Sequence, residues 1–112
     1  MANYTLDKKA EHLVIYDLKD ISSFTDYFLI CSGTTFVQVK AIADYIEEKM
    51  REQKVKLDHM EGYREGKWVL MDYGDVVIHI FDPASREFYD LERLWGDAPT
   101  VDLKEEVEKI RS

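Results

Sequence analysis

Carboxylates, one thiol and two histidines are the side chains of this sequence placed where chemistry could begin. Aspartates recur in pairs, Asp17 with Asp20 and Asp72 with Asp75. A nucleotidyl-transfer site wants carboxylates alternating on one strand to hold magnesium, and neither spacing supplies that. Asp72-Tyr73-Gly74-Asp75 offers a metal two ligands and no third nearby, whereas as a turn it explains itself: glycine supplies a positive φ and aspartate favours turns. His59-Met60-Glu61 matches the His-x-Glu half of a zinc deaminase signature. That chemistry needs a Pro-Cys-x-x-Cys half as well, and the chain has a single cysteine, Cys31. Cys31 ends an apolar run just before a helix start whose dipole could favour its thiolate, but a small apolar strand residue is the expected identity. Gly33-Thr34-Thr35 at the same junction invites a phosphate, because a helix N-terminus offers free amides. One glycine and no following lysine exclude a P-loop. His79 lies in an apolar strand without a nucleophile beside it, so a buried, hydrogen-bonded core histidine is expected rather than a general base. The expectation is therefore no catalytic residue, no metal ligand set and no cofactor.

The totals narrow the partners. With 112 residues, 46% of them hydrophobic, the chain is the size of one domain able to bury a core without metal or disulfide. Residues 1–112 are read as a single domain, with a core over about 7–98 and a charged tail over 99–112. There are 23 acidic and 15 basic residues, a formal net charge of −8, so the averaged surface repels phosphate backbones. Little direct nucleic-acid contact is expected; an acidic protein working near nucleic acid would dock on a basic protein instead. Lys8-Lys9 and Lys54 with Lys56 are read as solubilising surface. No apolar run approaches the roughly 20 residues that cross a bilayer, so no membrane partner is expected. The lone cysteine and a start at Met1-Ala2-Asn3-Tyr4 without a leader pattern point to the reducing cytoplasm of a bacterium.

The elements that must position these residues follow from periodicity. His12 to Leu18 and Asp26 to Cys31 read as strands, the second apolar on both faces and hence central. From Gly33 to Arg51 the period becomes helical, with Val39, Ile42, Ile46 and Met50 on one stripe and Thr34 or Thr35 as N-cap. Val55 to Glu61 is a weaker strand, and Lys67 to Asp72 and Val76 to Phe81 form a hairpin ended by Pro83, which lacks an amide donor. Ser85 is placed to cap a short helix with Phe88, Leu91, Leu94 and Trp95 on one side. Leu103, Val107 and Ile110 suggest a last amphipathic turn or two. The implied fold is α/β (α+β), a mixed sheet of about five strands with a main helix across one face.

Within the hairpin, alternation puts Trp68, Leu70 and Asp72 on one face and Val69, Met71 and Tyr73 on the other. One face must meet the main helix. If Trp68 points away from it, the indole becomes a hot-spot anchor, a large contact area at low entropy cost. Trp is also a common core residue, and the pattern leaves both readings open.

Taken together, several stretches resemble the ribosomal silencing factor family, RsfS or Iojap-like. They are Asp7-Lys8-Lys9-Ala10, Thr25-Asp26-Tyr27-Phe28, Cys31-Ser32-Gly33-Thr34, Ala41-Ile42-Ala43-Asp44, Glu61-Gly62, Trp68 to His79 and Arg86 to Trp95. The likeness runs from about Asp7 to Ala98, in order. It implies a nucleotidyltransferase-like core without catalytic residues, and a non-enzymatic translation factor. Such a factor would bind the large ribosomal subunit through ribosomal protein L-fourteen, block joining of the small subunit and repress translation under nutrient limitation. Carried over by position, the partner-binding surface is Trp68, Leu70, Asp72, Tyr73, Gly74 and Asp75, with His79, Phe88, Leu91 and Trp95 as support or further contacts. Two alternatives remain open from the sequence: a nucleotide-binding or nucleotidyltransferase-type enzyme using Gly33 and Thr34, and a homodimer of the free protein through Trp68 or an exposed sheet edge.

Overall fold

The β-branched and aromatic runs do become strands, and their pairing sorts the side chains into two faces. The computed structural model describes residues 10–23, 25–95 and 98–101. In chain order they form β1 (Glu11–Asp17), β2 (Tyr27–Ser32), helix α1 (Phe36–Glu52), β3 (His59–Glu61), β4 (Trp68–Asp72), β5 (Val76–Phe81), α2 (Pro83–Tyr89) and α3 (Leu91–Leu94). The five strands make one mixed sheet of order β1-β2-β5-β4-β3, in which β2 and β5 run parallel and the other pairs antiparallel.

Helix α1 forms where the sequence places it. Thr35 is the N-cap, its hydroxyl accepting from the Gln38 amide at 3.1 Å, while Gln38 Oε1 reaches back to the Thr34 amide at 2.7 Å. This is a capping box shifted by one residue. Lys49 and Arg51 in the last turn suit the negative end of the helix dipole. Val39, Ile42, Ala43, Ile46 and Met50 are buried against Leu29, Cys31, Val69, Met71, Ile78 and Ile80 of the sheet.

Three local expectations change. The strand expected over Val55 to Glu61 is shorter, His59–Glu61: the Val55 amide is still engaged by Met50 O of α1 at 2.9 Å, and bonding to β4 begins with the Asp58 amide donating to Asp72 O at 2.9 Å. Asp82, not Ser85, caps α2: its Oδ1 accepts from the Ser85 amide at 2.7 Å, with Pro83 in the first turn. The single helix expected up to Trp95 is broken at Asp90, which adopts the left-handed region at φ 47 and ψ 49. Phe88 and Leu94 consequently point to solvent at 81% and 73% exposure, while Leu91 and Trp95 pack under the sheet with Tyr16, Leu18, Ile30 and Phe81. The amphipathic turn expected at Leu103, Val107 and Ile110 lies outside the described residues. Past α3, residues 98–101 return along the outer edge of β1, with the Asp17 amide donating to Pro99 O and the Val101 amide to Ile15 O. No helix among the described residues is long and apolar enough to cross a membrane.

Candidate functional site

Strand register decides which side chains share the face opposite α1. Trp68, Leu70 and Asp72 of β4 lie across from Phe81, His79 and Val77 of β5, and on the other flank His59 and Glu61 of β3 lie across from Asp72 and Leu70. Directly paired residues project to the same side. The short helices α2 and α3 cover the β1, β2 and β5 part of this face, pinned by Arg86, which donates to Ser32 Oγ at 2.9 Å and pairs with Glu92 at 2.7 Å. Over β4 and β3 no element among the described residues covers the face, and Trp68, Leu70 and Asp72 are each half-buried.

Trp68 stands at the boundary between the covered and open parts. Its ring stacks on Phe81 at 5.1 Å between centroids, meets Tyr89 at 4.6 Å, and donates its indole N–H to His79 Nδ1 at 2.9 Å. His79 is 3% exposed, and burial pushes its pKa down to about 4, so it is neutral. Beside Trp68 a groove of about 240 Å³ opens between β3 and β4, lined by Glu61, Gly62, Trp68 and Leu70. Gly62 is needed there: its φ is +78 and a Cβ would lie 1.9 Å from Trp68 O.

At the far end of β4 the acidic turn is held from within. Asp72 Oδ1 accepts from the Gly74 amide at 2.8 Å, an Asx turn, with Gly74 at φ +84. The Asp75 carbonyl accepts from the Asp26 and Tyr27 amides and from Thr25 Oγ1, at 2.9, 3.0 and 2.8 Å. Asp75 itself is exposed. The Asp75 carboxylate is thus presented on a fixed backbone.

Tyr73 goes elsewhere. It is 8% exposed and packs on the α1 side, where burial, the Glu47 carboxylate adding and Arg51 opposing, raises its hydroxyl to about 12. So Trp68, Leu70 and Asp72 are brought together with Gly74 and Asp75 at the strand end, and Tyr73 stands apart from them. Of the supporting residues, His79, Leu91 and Trp95 lie under the sheet face, and Phe88 is free in solvent next to Tyr89. Glu61, Gly62 and Tyr89 join the site without having been singled out for it. The β3–β4 register would have found the first two, had the length of β3 been readable.

The groups set aside in the sequence are accounted for. Cys31 is fully buried and its thiol is pushed up to about 12 by desolvation, which outweighs the Arg86 charge. The amides at Thr34, Gln38 and Val39 are taken by Gln38 and Thr35, and the Gly33 amide donates to Phe81 O at 2.9 Å, so the junction caps itself. No group of three metal-ligating side chains occurs among the described residues.

Comparison with known proteins bears on the family and the fold. A model of the family described as ribosomal silencing factor during starvation matches residues 1–112. The ribosomal silencing factor RsfS of Halalkalibacterium halodurans is 49% identical over 98 residues, 88% of this chain and 84% of its own. A crystal structure from Bacillus halodurans superposes with a TM-score of 0.80 at 45% identity, covering 89% of this chain and 90% of that one. More distantly, the mouse protein named mitochondrial assembly of ribosomal large subunit protein 1 is 32% identical over 91 residues, 79% of this chain but 40% of its own length. With its mixed five-stranded sheet and these matches, the chain belongs to the ribosomal silencing factor family.

Proposed function

We propose that this chain acts as one domain in the bacterial cytoplasm and docks on the large ribosomal subunit through ribosomal protein L-fourteen. Occupying that face keeps the small subunit from joining and represses translation when nutrients are scarce. The mechanism is steric and calls for no catalysis. The observation that carries it is the uncovered half of the sheet, where the half-buried row Trp68, Leu70 and Asp72 lies next to an acidic turn in a chain of net charge −8. An aromatic anchor with flanking carboxylates suits a basic protein surface, and the same charge disfavours the surrounding RNA. Gly74 and Asp75 extend the contact at the strand end, and Tyr73 braces the strand from behind.

Sucrose-gradient sedimentation with separated subunits tests this reading. The protein is expected to travel with free large subunits, and to lower the yield of joined ribosomes when added before mixing. Equal sedimentation with small subunits, or with joined ribosomes, overturns it. Light scattering of the free protein reports whether a homodimer competes with docking.

A further inference from the structure

His79 is an expensive residue for its position. It is flanked by Ile78 and Ile80, both fully buried, and its ring lies 4.3 Å from that of Phe28 and 6.2 Å from that of Phe81. Because Nδ1 accepts the indole N–H of Trp68, the neutral ring carries its proton on Nε2. That Nε2–H is buried and has no hydrogen-bond partner among the described residues. A buried donor left unpaired costs stability, and an aliphatic side chain in the same layer would avoid the cost. What the imidazole provides in return is a fixed place for one atom of Trp68.

We propose that His79 is a positioning residue for docking: by taking up the indole N–H it locks Trp68 across the sheet and leaves the partner an aromatic surface without a free donor. This rests on the docking surface proposed above. An indole is a donor only, so with its N–H satisfied internally Trp68 can offer nothing but ring. The groove it walls is likewise apolar at Leu70 and Gly62 and charged at its rim by Glu61. The complementary group on the partner is therefore an aliphatic side chain on a basic surface, seated against Trp68 and Leu70, and not a hydrogen-bond acceptor aimed at the indole. Phe81 behind the ring and Tyr89 beside it complete the mount.

The test compares His79→Asn with His79→Leu, which vacate similar space but differ in whether an acceptor stands where Nδ1 was. The readouts are thermal unfolding, solvent exchange of the Trp68 indole proton by NMR, and affinity for isolated large subunits. His79→Leu is expected to release the indole proton to fast exchange and to weaken binding about tenfold. His79→Asn is expected to keep exchange slow and affinity within about threefold of the native chain. Equal affinity of the two variants, with Trp68→Ala still defective, overturns the positioning role and spares the docking surface. Normal binding by Trp68→Ala overturns both. Should neither His79 variant fold, the native chain decides: an indole proton exchanging as fast as in free tryptophan overturns the inference, and slow exchange both free and subunit-bound upholds it.

Discussion

On its α1 side the sheet is sealed: Val39, Ile42, Ala43 and Ile46 meet Cys31, Val69, Met71, Ile78 and Ile80, all at 0% exposure. On the opposite side Leu18, Ile30 and Phe81 are closed over, yet Trp68, Leu70, Asp72 and Val77 are half-buried and Phe88 stands in water. The difference lies in the covers. One helix of 17 residues with an unbroken apolar stripe spans the sheet, whereas helices of 7 and 4 residues, separated by a left-handed Asp90, reach across only part of it. Near-complete burial supplies stability. An incompletely covered face leaves apolar area for a partner to remove from water.

Substitutions on the two faces should separate these roles. The largest effect belongs to the sealed side: Ile42→Ala should lower unfolding free energy by about 2–5 kcal/mol in urea titrations, through lost burial and the cavity left behind. Its folded fraction should still bind large subunits with native affinity, and a binding loss exceeding the folding loss would contradict the division.

A proton probes the boundary between the faces. His79 titrates at about 4 in the folded chain against 6.5 unfolded, so between these values the unfolded state holds more protons. Stability is complete above pH 6.5 and declines as pH falls toward 4, by about 3 kcal/mol for this group alone. Urea midpoints measured from pH 7 to 5 should fall in the native chain and stay flatter in His79→Asn.

On the open side, Trp68→Ala should keep the circular dichroism spectrum of a folded chain while weakening subunit binding more than tenfold, about 1.4 kcal/mol or greater. The smallest effect is expected from Asp75→Asn, whose side chain is exposed while its backbone does the anchoring. Stability should move by less than about 0.5 kcal/mol. Subunit affinity should drop a few-fold at low salt and converge with the native value at high salt. A salt-independent loss would remove the acidic turn from the docking contact.

Which face of β4 would meet α1 was left open by the sequence, but the helix's own side of the sealed face was readable, since a stripe at Val39, Ile42, Ile46 and Met50 has one physical solution once strands flank it. The half-open face was not. Alternation grouped Trp68, Leu70 and Asp72 and put Tyr73 on the other face, where the structure has it; carry-over by position from the family resemblance had drawn Tyr73 into the same site. The break at Asp90 escaped because an aspartate in the left-handed region looks, in sequence, like any helix-surface aspartate.

Amino-acid order alone determined the element types, the helical stripe and, through its motifs, the family resemblance, because these are carried within short windows; the order of elements implied a mixed sheet, and its strand order β1-β2-β5-β4-β3 came from the tertiary structure. Whether Trp68 would be sealed into the core or left half-buried was decided only by tertiary structure. That outcome depends on how far α2 and α3 reach, on the β3–β4 register that puts Glu61 and Gly62 beside it, and on the imidazole of His79 across the strand. These are relations between segments that no local pattern encodes.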